Sequence, residues 1–297
     1  MMKITFLGTG SMIPTPERNQ VSLFLEYRDE GILVDCGEGT QRQFRIAGIT
    51  PTKITKILIT HWHGDHTLGL GGLLSTLGAH NYSKVLEIYG PKGTKKFISA
   101  LFKLYIPQTR IKYGVIEVTK RRFFENEWFY LEALRLVHPV ACLGYSFIEK
   151  DRLKINTSYL SDFGLRRHPI LKKLQRGEDI AWKGKKIPVK KATTVKKGKK
   201  VTFISDTNFC ENILKLSSGS DVLICESTHL EELKERTERY KHLTAKQAGE
   251  IAKKAKASKL ILTHYSQRYK KTKPLLEEAK EVFTNTYAAE DFSTFEI

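Results

Sequence analysis

Short apolar runs that stop at a polar, ligand-type residue recur along this chain. Ile57-Leu58-Ile59-Thr60 stops at His61, Leu134-Arg135-Leu136-Val137 at His138, and Phe203-Ile204-Ser205 at Asp206. Leu223-Ile224-Cys225 stops at Glu226, and Leu260-Ile261-Leu262-Thr263 at His264. Runs of this length and composition predict strands. Lys3 to Leu7 predicts a first strand, Val21 to Tyr27 with Ile32 to Val34 a hairpin, and Val85 to Tyr89 a further strand, while residues 114 to 150 read mainly as strands. Helical spacing takes over elsewhere. Leu70, Leu73, Leu74 and Leu77 fall at i, i+3, i+4 and i+7, one buried helix face. Lys95 to Tyr105 and Leu275 to Phe283 predict helices, and Phe292 to Ile297 a closing strand. Thr244-Ala-Lys-Gln247 has the form of a capping box ahead of an apolar face of Ala245, Ala248, Ile251, Ala252 and Ala255. The alternation is that of an α/β protein, in which sites gather outside the carboxyl ends of strands. One histidine after a strand is usually structural. Five ligand-type strand ends in one chain predict convergence on a site.

The densest stretch is His61-Trp62-His63-Gly64-Asp65-His66, placed on a strand-to-helix turn. Imidazole and carboxylate suit zinc and related divalent metals. The spacing assigns His61, His63 and His138 to one metal and Asp65, His66 and His264 to a second, with Asp206 as the bridge. Two such ions can clamp both oxygens of an in-line displacement. The chain offers no serine elbow and no evident Cys–His pair as a covalent nucleophile, so hydrolysis by activated water is the expected chemistry. His80, predicted to end a helix, His168 and His229 have no spacing argument for metal binding.

Composition narrows the partner. Net charge is +18, from 50 Lys and Arg against 32 Asp and Glu, which favours a polyanion, nucleic acid first. Residues 151–200 hold 16 Lys and Arg against 4 Asp and Glu, so +12 of the excess lies there, with Tyr159, Phe163 and Trp182 interleaved. We read this stretch as an inserted, projecting basic arm whose cations contact phosphates, within a single domain spanning 1–297. At 40% hydrophobic residues, the chain has enough apolar material for a sizeable core. It offers neither a membrane-spanning stretch of about 20 apolar residues nor a signal-peptide pattern. Cys36, Cys142, Cys210 and Cys225 are scattered, which fits reduced thiols and a cytoplasmic protein.

His61 to His66 matches the motif His-x-His-x-Asp-His, and the chain resembles the metallo-β-lactamase superfamily. Within it the chain resembles the ribonuclease Z branch, endonucleases that remove 3′ trailers from precursor tRNA. The narrower likeness is carried by Asp35-Cys-Gly-Glu-Gly-Thr-Gln-Arg-Gln43, Ser205-Asp-Thr207, Cys225-Glu-Ser-Thr228, His242-Leu-Thr-Ala245 and Thr263-His-Tyr-Ser-Gln-Arg-Tyr269. The resemblance implies a four-layer αβ/βα sandwich and two Zn²⁺ per subunit, with Mn²⁺ or Fe²⁺ as alternatives. It also implies precursor tRNA as substrate and a homodimer in which one subunit's arm serves the other's site. It makes Asp65 a proton acceptor as well as a ligand, and Glu226 with His242 the pair that assists the leaving group. A helix N-terminus disfavours imidazolium, so His242 needs a carboxylate neighbour to donate a proton. Two places depart from the branch: Gly164-Leu-Arg-Arg-His-Pro169 stands where many members have Gly-Pro, and Pro16 stands where some have lysine in Pro-x-Lys-x-Arg-Asn.

Overall fold

A computed structural model describes residues 2–104 and 111–297. Its first sheet draws on β1 (Met2–Gly8), β2 (Ser22–Tyr27), β3 (Glu30–Val34), β4 (Lys56–Leu58), β5 (Val85–Gly90) and β6 (Lys112–Glu117). The helices between them are α1 (Thr40–Ile46), α2 (Gly64–Thr67), α3 (Leu70–Ala79) and α4 (Thr94–Leu104). Then come β7 (Arg122–Glu125), β8 (Phe129–Leu136), β9 (Cys142–Glu149) and β10 (Arg152–Ile155), α5 (Thr157–Ser161), α6 (Leu171–Gln175), β11 (Ile180–Trp182), β12 (Lys185–Ile187), α7 (Val189–Ala192) and β13 (Thr193–Lys196). The last part runs β14 (Lys200–Ile204), α8 (Glu211–Ser217), β15 (Val222–Glu226), α9 (Lys234–Arg239), α10 (Ala245–Lys254), β16 (Leu260–Thr263), α11 (Lys273–Val282), β17 (Thr286–Ala288) and β18 (Thr294–Glu296). The helix read to Tyr105 is described as far as Leu104; Tyr105 lies outside the described residues.

Two seven-stranded mixed sheets result, ordered β18-β1-β2-β3-β4-β5-β6 and β17-β16-β15-β14-β9-β8-β7. They meet through interior contacts: the Tyr145 hydroxyl donates to the Ile59 carbonyl at 2.7 Å, and Tyr27 packs edge-on against Phe147. The outer face of the first sheet buries Phe44 of α1, Leu70, Leu73, Leu74 and Leu77 of α3, and Ile98 of α4. The second sheet does the same with Ile213 and Leu216 of α8, Ala248, Ile251 and Ala252 of α10, and Leu275 and Ala279 of α11. This is the α/β sandwich expected. The i, i+3, i+4 spacing of those leucines and alanines fixes which helix face turns inward. The α10 cap forms as read: Thr244 accepts from the Gln247 amide, and the Gln247 side chain accepts from the Thr244 amide.

The chain divides into two compact units, one of Met1–Phe124, Leu131–Phe147 and Lys200–Ile297, the other of Glu125–Tyr130 and Ile148–Lys199. The smaller unit is built on the β10–β13 and β11–β12 pairs and has its own core of Leu160, Leu165, Leu174, Ile180, Ile187 and Ala192. Its aromatics are used in packing. Tyr159, Phe163 and Trp182 lie against that core, and the Trp182 indole donates to the Phe163 carbonyl. Gly164, at φ 64°, turns the chain after α5 in the left-handed region. The charge is left outside: Lys183, Lys185, Lys186, Lys190, Lys191, Lys196 and Lys197 are all exposed.

Candidate metal centre

Each predicted strand end delivers its residue to one place in the larger unit. His61, His63, His138 and Asp206 have ligand atoms within 4.8 Å of one another, as do Asp65, His66, Asp206 and His264; a third group joins Glu226, His242 and His264. Asp206 stands between the first two groups. Its Oδ2 lies 3.7 Å from His61 Nε2 and 4.0 Å from His138 Nε2, while Oδ1 lies 3.4 Å from His66 Nε2 and 3.1 Å from His264 Nε2. His63 enters with its other nitrogen, Nδ1 being 3.1 Å from His61 Nε2 and 3.2 Å from His138 Nε2. Asp65 Oδ2 sits 3.3 Å from His66 Nε2 and 3.6 Å from His264 Nε2.

Local structure explains the convergence. Trp62 turns away from the cluster, stacked on Phe97 at 4.8 Å with its indole donating to Thr94 Oγ1, so its neighbours His61 and His63 both face inward. The turn is tied to the segment after β3 by Cys36 N donating to the His66 carbonyl and Gly69 N to the Cys36 carbonyl. A Cβ on Gly69 would lie 2.0 Å from the Gly37 carbonyl oxygen, so this approach needs glycine. His264 leaves β16 at φ 60°, which swings its ring toward Asp206.

Outer hydrogen bonds set which nitrogen each ring presents. Asp35, buried and at φ 56°, accepts from Thr60 N at 2.8 Å, Thr60 Oγ1 at 2.8 Å and His66 Nδ1 at 2.7 Å. With the Thr60 hydrogen given to Asp35, His61 Nδ1–H donates to Thr60 Oγ1 at 3.0 Å. The other side repeats the device. His264 Nδ1–H meets Thr228 Oγ1 at 3.0 Å, and Thr228 donates to Glu226 at 2.6 Å. His138 Nδ1–H donates to the Lys241 carbonyl at 3.1 Å. In all four rings Nε2 is left with a lone pair directed inward. Asp35, Thr60 and Thr228 were not picked out as functional in the sequence. The signal for Asp35 was there, since Ile32-Leu33-Val34 is a sixth apolar run ending at an acid.

The donor set fits divalent cations. His66 Nε2 and His264 Nε2 are buried without a hydrogen-bond partner, although carboxylate oxygens stand 3.1–3.4 Å away. Nearness without hydrogen-bond geometry means the atoms face a common point and not one another. A buried polar atom left so costs about 1–3 kcal/mol, which a shared cation offsets. Electrostatics agree. Burial, then the His66 ring, push His61 well below its usual range, and burial lowers His138, so both rings stay neutral. Burial alone would raise Asp206, yet His264 and His66 hold it well below the carboxylate range. For His242 burial works downward but is outweighed by Glu226, 3.1 Å from Nδ1, and by Asp206, which raise it to about 9.

The cluster opens into a cleft of about 710 Å³ whose wall includes Arg236, Arg239, Arg268 and Tyr240. The sequence resemblance now has a scale. The profile of the Metallo-beta-lactamase superfamily matches residues 15–152, and that of the Beta-lactamase superfamily domain matches 191–265. The chain is 38% identical to a Ribonuclease Z of Methanothermobacter thermautotrophicus, covering all of this chain and 97% of that one. It is 39% identical to a Ribonuclease Z of Archaeoglobus fulgidus, covering all of this chain and 98% of that one. The crystal structure of human tRNase Z, short form, superposes with a TM-score of 0.74 at 29% identity over 99% of both chains.

Proposed function

The chain belongs to the ribonuclease Z family of the metallo-β-lactamase superfamily, and from that premise we propose that it is an endoribonuclease removing the 3′ trailer from precursor tRNA. The products are a tRNA with a 3′-hydroxyl and a trailer with a 5′-phosphate. One observation carries the reading: Asp206 turns one oxygen to each of two histidine groups, with the Glu226–His242 pair alongside. His61, His63, His138 and Asp206 would hold one ion, and Asp65, His66, His264 and Asp206 the other. When bound, divalent ions supply Lewis acidity that activates water and neutralises charge on the phosphate. Imidazole and carboxylate donors make zinc the proposed native ion.

The protein's own groups handle the protons. Burial opposes ionisation of Asp65, but the His264 and His66 rings beside Oδ2 keep it a carboxylate, so that oxygen can accept the proton of the attacking water. His242 carries a proton at neutral pH because Glu226 stands against Nδ1. That leaves Nε2–H to be given to the departing 3′ oxygen. The exposed lysines of the smaller unit are proposed to hold the phosphates of the tRNA body. The expected assembly is a homodimer, which sedimentation velocity checks. Mapping the cut on an end-labelled precursor tRNA tests the activity: a single cut near the discriminator base is expected, and an intact trailer after incubation with fully metallated protein refutes it.

A further inference from the structure

The wall of the cleft holds a buried histidine that the reaction above leaves unused. His229 is 7% exposed and lies between β15 and the 3₁₀ turn Glu231–Leu233, its carbonyl accepting from Ala245 N. Its Nδ1 is 3.1 Å from Thr237 Oγ1, and that hydroxyl donates at 2.7 Å to the Leu233 carbonyl. With the hydroxyl hydrogen engaged there, Nδ1 must be the donor and Nε2 carries the lone pair. Nε2 makes no hydrogen bond among the described residues, and the ring lines the cleft that Asp206 and His242 also line. The surroundings keep it neutral: burial first, then His242 and Arg268, hold its pKa at about 4.

The neighbours give that lone pair its meaning. Arg236, Arg239 and Arg268 are donors only. Gln20 has both ends engaged, its oxygen accepting from Glu38 N and its nitrogen donating to the Met12 carbonyl. Arginines suit phosphate oxygens, whereas an acceptor among them does nothing for a phosphate. It fits a donor on the same ligand. Near the backbone of a nucleic acid the donor is the ribose 2′-hydroxyl, present at every ribonucleotide and absent from DNA; exocyclic base amines are the other source. Attack by water makes no chemical use of the 2′-hydroxyl, so a preference for RNA at the cut has to come from a contact.

We propose that His229 Nε2 accepts a hydrogen bond from the 2′-hydroxyl of a nucleotide flanking the scissile bond, and so is a specificity-determining residue that favours RNA over DNA at this position. The inference rests on the endoribonuclease reading. The test uses precursor tRNAs with a single 2′-deoxynucleotide at each position around the cut, together with inosine-for-guanosine substitutions at the same positions. Wild-type enzyme should show one position where the 2′-deoxy change lowers kcat/KM by roughly tenfold, the weight of one good hydrogen bond. His229→Phe should lose a similar factor on the all-ribose substrate and show no further loss at that position. His229→Gln, which retains an acceptor, should keep the penalty. Melting temperature and metal content are followed for each variant. Wild type indifferent to every 2′-deoxy change overturns the inference, as does an undiminished penalty in His229→Phe or a penalty that follows the base amine. A precursor left uncut by wild type refutes the endonuclease reading instead, so the two failures are separable.

Discussion

Asp35→Asn is the sharpest test of how the ligands are held. The carboxylate takes three donors, Thr60 N and Thr60 Oγ1 at 2.8 Å each and His66 Nδ1 at 2.7 Å, in a place that is 1% exposed. Asparagine matches its shape but has one acceptor oxygen, so wherever the amide nitrogen points it meets a donor. Facing His66, it drives the ring toward the tautomer protonated on Nε2, the nitrogen otherwise offered to Asp206 and Asp65. Loss of such a supporting carboxylate typically costs 10–100-fold in metal affinity, or about 1.4–2.8 kcal/mol. Alanine would strand all three donors at about 1–3 kcal/mol each and threaten folding, which makes asparagine the informative change. The measurement is zinc affinity by competition with a chelating indicator, with circular dichroism to confirm the fold. Asp35→Asn that is folded and binds zinc as tightly as wild type would refute the reasoning.

His242→Ala should lower kcat on precursor tRNA by roughly 10²–10⁴, the usual weight of a general acid. It should also abolish the alkaline fall in rate, because a proton donor is lost as pH rises through its pKa, here about 9. A diester with a nitrophenolate leaving group needs no such proton and should be cut by wild type and variant at similar rates. Chelation should lower Tm by several degrees, since ions at about 100 times their Kd stabilise the native state by about 2.7 kcal/mol; an unchanged Tm would argue against occupancy of the cluster. Replacing Lys185, Lys186, Lys190 and Lys191 with glutamine should weaken tRNA binding and flatten the slope of log K against log salt by roughly 0.7–0.9 per lost phosphate contact, read by filter binding.

The strand ends were legible because apolar runs of this kind form the interior of a sheet, and the residue that ends a run is held where the sheet stops. Supporting residues were harder to read. Asp35 ends an apolar run like the other strand-end residues, but its role runs through His66, 31 positions away, which only folding brings to 2.7 Å. Tyr159, Phe163 and Trp182 stood out only as aromatics interleaved with the basic run, yet the smaller unit's core is six residues and draws on them for packing. β17, three residues long, has too short a pattern to be noticed; its pairing with β16 defines it. The acceptor on His229 depends on Thr237, whose hydroxyl is directed by α9, and no linear pattern encodes that tautomer.

The order in which the chain supplies its ligands has a consequence for how the protein is made. His61, His63, Asp65 and His66 are synthesised early, Asp206 and His264 late. At ordinary translation rates roughly 10–40 s separate His61 from His264. The first sheet waits longer still, because β18 pairs with β1 and the Ile297 amide donates to the Met2 carbonyl. A nascent chain on the ribosome therefore carries half of the candidate cation site and an unfinished sheet, with neither Asp206 nor His242 in place. The candidate site can close only after Asp206 and His264 have been made.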